Sequence, residues 1–170
     1  MMHGYLALNK TGQLLVPFRT WRNTNTDRAS KALSKLFQFN IPHRWSVAHL
    51  YEAILNNEPH LAELDKLHTL ASYIHYRLCG ENVIGIGDAA GMFPIDSKTR
   101  TYDEGMLEAF QNLPEVTAKG IDLLSLLPEV LLAGENAGRL SAAGARFLDP
   151  SGQLEAGVLL CPPEGDAGTG

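Results

Sequence analysis

The carboxylate best placed to do chemistry stands near the end of the sequence, in Pro163-Glu164-Gly165-Asp166-Ala167-Gly168-Thr169-Gly170. Glycines leave backbone N–H groups open to a bound oxyanion, because no side chain stands in the way. An aspartate among them has the chemistry of a general base that takes a proton from an attacking hydroxyl. Phosphoryl transfer needs that pairing: a positioned carboxylate, and an anion held in line by donors. Asp166 is therefore the candidate base, and Gly165 and Gly168 are the candidate cofactor-binding positions. The same stretch also reads as a flexible glycine-rich terminus with a solvated acid, and the residues alone leave both readings open.

A second group sits near the start. His3 opens an expected strand, where an imidazole can hydrogen-bond a polyol, although a lone histidine is more often structural. Trp21, Arg22 and Asn23 follow one another at the end of the next strand. They combine an apolar ring face for sugar carbons with donors for hydroxyls; a core tryptophan followed by a polar loop is the alternative. The run Gly85-Ile86-Gly87-Asp88-Ala89-Ala90-Gly91 has neither the Lys-Ser/Thr of a phosphate loop nor dinucleotide-fold glycine spacing. His43, His49, His60, His68 and His75 lack zinc-protease spacing and read as structural or exposed, so no metal site is expected. Cys79 and Cys161 are far apart and read as reduced, buried thiols of a cytoplasmic protein.

The elements that must position these residues follow from pattern. Strands are expected at 3–9 and 14–20 around the turn Asn9-Lys10-Thr11-Gly12, with Pro17 weakening the second. A helix capped at Thr26-Asp27 runs to Phe37 with Ala29, Ala32, Leu33, Leu36 and Phe37 on one face. A cleaner one follows a Ser46 cap, with Val47, Leu50, Tyr51, Ile54 and Leu55 at helical spacing. Further helices are expected at 59–64, 70–78, 103–113 and 141–148, a short apolar turn at 121–127, and strands at 130–133 and, buried, at 157–161. Residues 81–91 read as a polar, glycine-rich bend. Mixed elements with helices dominating point to an α/β or α+β fold.

With 170 residues, 45% hydrophobic and 19% charged, the chain can bury a core as one globular unit. A net charge of −5 argues against a nucleic-acid surface. No apolar run is long enough to span a membrane, and the start has no leader-peptide pattern.

Four places, in this order, resemble the FGGY carbohydrate kinase family. Met2-His3-Gly4 resembles the Met-His-Gly strand of xylulokinase-like members, and Phe18-Arg19-Thr20-Trp21-Arg22-Asn23 the segment carrying the family's Trp-x-Asp. Gly87-Asp88-Ala89-Ala90-Gly91, running to Pro94-Ile95-Asp96, resembles its Ser-Asp-Ala-Ser/Ala-Gly stretch, and Glu164-Gly165-Asp166 its Gly-Gly-Asp loop. Asn136-Ala137-Gly138 sits where members carry Gly-x-Leu. The resemblance implies an α/β fold: a partial ribonuclease-H-like domain of the actin/hexokinase superfamily, helix-rich with a few strands. Residues 1–170 would be the later part of an incomplete N-terminal sugar-binding domain, with 161–170 the hinge into an ATP-binding domain outside this sequence.

In that reading Asp166 is the catalytic base, and Met2, His3, Trp21, Arg22 and Asn23 hold a ketopentose-like sugar. ATP and Mg2+ bind mainly to the second domain. The partner is a small-molecule sugar, not nucleic acid or membrane, and the intact protein is allowed a homodimeric state. This chain alone would be inactive, with open sheet edges and exposed apolar surface. Two positions depart from the family: Asn23 replaces the acid of Trp-x-Asp, and Ala167 stands where Asn or Gln is usual. A non-catalytic sugar-binding or interaction module, or a degenerate kinase remnant, is the competing reading.

Overall fold

The first strand is the centre of the sheet on which the candidate residues depend. The structure, a computed structural model, describes residues 4–166. Strand β1 (Gly4–Leu8) is buried along its whole length. It is flanked on both sides by antiparallel partners, β2 (Arg19–Thr20) and β3 (Lys66–His68), in the order β2-β1-β3. Gly4 faces Thr20, Tyr5 faces Arg19 and Leu6 faces His68. Gly4 has a φ of 148°, and a Cβ there would stand 2.3 Å from the Arg19 carbonyl oxygen, so this position needs glycine for β2 to approach. The strand expected at 14–20 shrinks to Arg19–Thr20 plus an isolated bridge between Leu8 and Leu14. Pro17 lies in the interruption and has no N–H to donate.

Helices α1 (Asp27–Phe37) and α2 (Ser46–Leu55) lie against each other, and α2 also packs on β1. Ala29, Leu33 and Phe37 are buried as expected, whereas Ala32 and Leu36 on the expected apolar face are exposed. Ser46 is the first helical residue rather than the cap; its hydroxyl donates to the Gly4 carbonyl (2.6 Å) and ties the start of α2 to the start of β1. A 3-10 turn (Pro59–Glu63) leads into β3. Helix α3 (Leu70–Cys79) begins with a capping box between Thr69 and Ser72 and ends at Gly80, φ 87°.

The expected bend at 81–91 contains two elements, β4 (Val83–Gly85) and the single-turn α4 (Ile86–Ala89). A hairpin of β5 (Ile95–Asp96) and β6 (Thr101–Tyr102) follows. Then come α5 (Glu104–Gln111), α6 (Pro114–Lys119) and α7 (Leu123–Leu126), and β7 (Glu129–Leu131), which pairs in parallel with β4. Helix α8 (Ala142–Leu148) is capped by Ser141, whose hydroxyl oxygen accepts from the Gly144 N–H (2.9 Å). One core joins Tyr5 and Ala7 to side chains of α1, α2, α5, α6 and α7; within it Phe37 meets Phe93, and Tyr51 meets Phe110, edge to face. The arrangement is helix-rich α/β, as the sequence implies.

Two expectations are corrected near the end of the chain. Residues 157–161 form no buried strand: Leu159 makes a lone bridge with Arg139, and Val158 and Leu159 are more than half exposed. Cys161 is likewise exposed and Cys79 only half-buried. An apolar run is buried only where an element lies over it, and none covers this one. No helix among the described residues is long and apolar enough to cross a membrane.

Candidate functional site

The glycine-rich run at 85–91 is not an open loop but the junction where β4 turns into α4. Its backbone donors are occupied from within the chain. The Gly85 N–H donates to the Pro163 carbonyl (2.9 Å). The Gly87 N–H donates to Glu164 Oε1 (3.0 Å) and the Asp88 N–H to Glu164 Oε2 (2.8 Å). Two residues after Glu164 comes Asp166, exposed at the surface. The glycine cradle at this turn is thus filled by a carboxylate.

Asp88 sits directly beneath. It is 1% exposed, and its Oδ2 accepts from the Thr69 hydroxyl at 2.5 Å. Burial pushes its carboxyl up to about 6; the Glu164 and Asp166 charges act in the same direction, and the Thr69 hydrogen bond opposes them. Asp166 therefore shares an electrostatic neighbourhood with Asp88. Sequence reasoning did not name Asp88 as a site residue, nor Thr69. The residue types around Asp88 do not distinguish it from Asp166, an acid in a similar small-residue run that is exposed; burial of Asp88 comes from the packing of the β4–α4 turn.

Topology links this cluster to the start of the chain. Thr69 follows β3, which runs antiparallel to β1 with His68 opposite Leu6, so Thr69 continues toward the Tyr5–Gly4 end of β1. At that end Gly4 pairs with Thr20, and Trp21, Arg22 and Asn23 follow at once. Thr69, which holds Asp88, and the Trp21 segment thus flank the same end of β1 from opposite sides. Trp21 is 38% exposed, with the Arg22 guanidinium 5.2 Å from its ring centre. Asn23 turns its carboxamide oxygen to the Asn25 N–H (3.0 Å) and lines a cavity of about 250 Å3 with Arg19, His49 and Glu58. The expected contacts Met2, His3 and Gly168 lie outside the described residues.

Three of the other histidines make internal contacts at hydrogen-bond distance. His60 Nε2 is 2.7 Å from the Tyr5 hydroxyl, His68 Nδ1 is 3.0 Å from Ser72 Oγ, and His75 Nε2 is 2.8 Å from the Ala137 carbonyl. Burial lowers both His49 and His68 to about 4 and keeps them neutral. Among the described residues no three His, Cys, Asp or Glu are grouped to hold a metal ion.

No protein-family model and no curated protein matches the chain. Solved structures do. A xylulose kinase of Brucella ovis superposes with a TM-score of 0.76 at 22% identity, over 98% of this chain and 33% of that one. A gluconate kinase of Lactobacillus acidophilus gives 0.76 at 15%, with the same coverage. A glycerol kinase of Plasmodium falciparum, solved with ADP, gives 0.69 at 16%, over 97% of this chain and 32% of that one. The chain spans about a third of the length of these proteins. At such identities the likeness establishes the fold: nearly all of this chain is built as one stretch of a sugar-kinase polypeptide is built.

Proposed function

We propose that this chain is the incomplete N-terminal, sugar-side domain of an ATP-dependent carbohydrate kinase of the FGGY type, with Asp166 as its general base. The reading is supported by the placement of the Asp88–Glu164 cluster and of the Trp21 segment at the same end of β1, in a fold shared with sugar kinases. A sugar hydroxyl donates its proton to the Asp166 carboxylate, its oxygen bonds to the γ-phosphorus of ATP, and the bond from that phosphorus to the β–γ bridging oxygen breaks, releasing ADP. The Trp21 ring offers an apolar face to sugar carbons, and Arg22 and Asn23, together with Met2 and His3, supply polar contacts to hydroxyls. A ketopentose-like sugar is the proposed substrate. In the 85–88 turn the Gly87 and Asp88 N–H groups are taken by Glu164 and that of Gly85 by the Pro163 carbonyl. ATP and Mg2+ are therefore assigned to residues beyond 4–166, and no step is routed through this turn.

The test is an ADP-release assay on the longest natural polypeptide that contains this sequence, against a panel of ketopentoses, polyols and aldonates. Asp166→Asn is expected to lower kcat by about 100-fold to 10,000-fold, the scale of a lost general base, with the sugar KM little changed. Turnover within a few-fold of wild type would remove Asp166 from the chemistry.

A further inference from the structure

The contacts of Glu164 go beyond filling a turn. Both of its carboxylate oxygens are used, one on each of two successive N–H groups, and the residue before it is held by a third backbone bond, from Gly85 to Pro163. The fit is close. A Cβ at Gly85 would stand 2.3 Å from Glu164 Oε1, and a Cβ at Gly87 2.8 Å from Oε2. Neither position tolerates a side chain while the carboxylate is seated. Hydrogen bonds to an ionised acceptor are about twice as strong as neutral ones, which offsets the repulsion from the buried Asp88 carboxyl beside it. One glycine, Gly165, then separates this anchored residue from Asp166.

We propose that Glu164 is a positioning residue: its carboxylate docks the 163–165 segment onto the β4–α4 turn and so sets the direction in which Asp166 leaves it. The inference rests on Asp166 being the base. It makes Glu164 responsible for placing that base without touching substrate. Misplacement of a reacting group by about 1 Å is enough to cost roughly 100-fold in rate.

The test uses the 170-residue chain, labelled for amide NMR, as wild type, Glu164→Ala and Glu164→Gln. In Glu164→Ala, hydrogen exchange at Gly87 and Asp88 is expected to quicken about tenfold or more, the scale of losing a bond to a charged acceptor. Backbone order parameters at Gly165 and Asp166 should fall below about 0.6. Glu164→Gln retains one carbonyl acceptor and should restore part of both. Exchange at residues 5–7 of β1 serves as the folding control, and Glu164→Gln carries the test if the alanine variant unfolds. Unchanged exchange at Gly87 and Asp88 overturns the docking, and quickened exchange with no change in order at Asp166 overturns the positioning. None of these readings uses catalysis. Their failure leaves Asp166 as the base untouched, whereas an inert Asp166→Asn substitution in the ADP-release assay removes the base and leaves the dock standing.

Discussion

Asp88 is the one acid among the buried residues of the described chain, and its titration runs against that of its buried neighbours. The folded state holds its proton to about pH 6, compared with an ordinary value of 3.8. Stability from this group is therefore fully present below about pH 4 and is lost as the pH rises through about 6. Asp88→Asn keeps an acceptor for the Thr69 hydroxyl and cannot ionise. It should gain on wild type across that window by about 3 kcal/mol, the free energy of roughly two pKa units. Paired urea melts at pH 4 and pH 7 check this; an equal difference at both pH values would contradict it. His49 and His68 have the opposite sign. Each titrates near 4 when folded against 6.5 ordinarily, so their contribution is present above about 6.5 and lost as the pH falls through about 4. Two such histidines outweigh one aspartate. The wild-type melting temperature should accordingly drop between pH 6.5 and pH 4.5, and a flat or rising profile would show that those imidazoles are not held neutral.

At the scale of elements, the site depends on how short strands are pinned. β2 is two residues long and reaches β1 only because Gly4 presents no Cβ to the Arg19 carbonyl. Gly4→Ala combines that clash with a backbone conformation that alanine rarely adopts. It should cost about 3 kcal/mol and lower the melting temperature by about 10 °C. Differential scanning calorimetry reads it, and a shift under about 2 °C would mean that β2 moves aside freely. The same pinning explains what was legible in the sequence. Helices α1, α2, α3, α5 and α8 announce themselves through apolar spacing, as at Val47, Leu50 and Ile54, or through boundary residues such as Asp103, Ser141 and Gly80, whereas neither Thr26 nor Ser46 supplies a side-chain cap to α1 or α2. Strands β3 to β6 are two or three residues long; a period of two has nothing to repeat over, so they pass as turns, whereas β7 overlaps the strand expected at 130–133. The apolar run at Val158-Leu159-Leu160 misleads for the converse reason, since apolarity permits burial but does not supply a covering element. At the site, Asp166 and the Trp21 segment are readable from residue type. The bonds from Glu164 to Gly87 and Asp88 span 77 and 76 positions, and no local pattern encodes such a contact.

At the scale of the whole molecule, charge and length decide what this chain can do by itself. Asp88, Glu164 and Asp166 gather at one end of β1 in a chain of net charge −5. A nucleotide triphosphate approaching that end meets carboxylates, and the nearest glycine donors are already bonded to one of them. Phosphoryl transfer is almost wholly positioning and charge neutralisation. On the proposed reading, this chain, which spans about a third of the sugar kinases it resembles in fold, presents a base and a sugar surface without the groups that neutralise the transferred phosphate. The purified 170 residues are expected to show no sugar-dependent ADP release with ATP and Mg2+ at millimolar concentration. Sugars should still perturb the Trp21 fluorescence, with a Trp45→Phe background isolating that signal from the second tryptophan. Turnover by the isolated chain would mean that its own residues neutralise the phosphate. A silent Trp21 with every sugar tried would mean that the convergence at the end of β1 is architecture without a ligand.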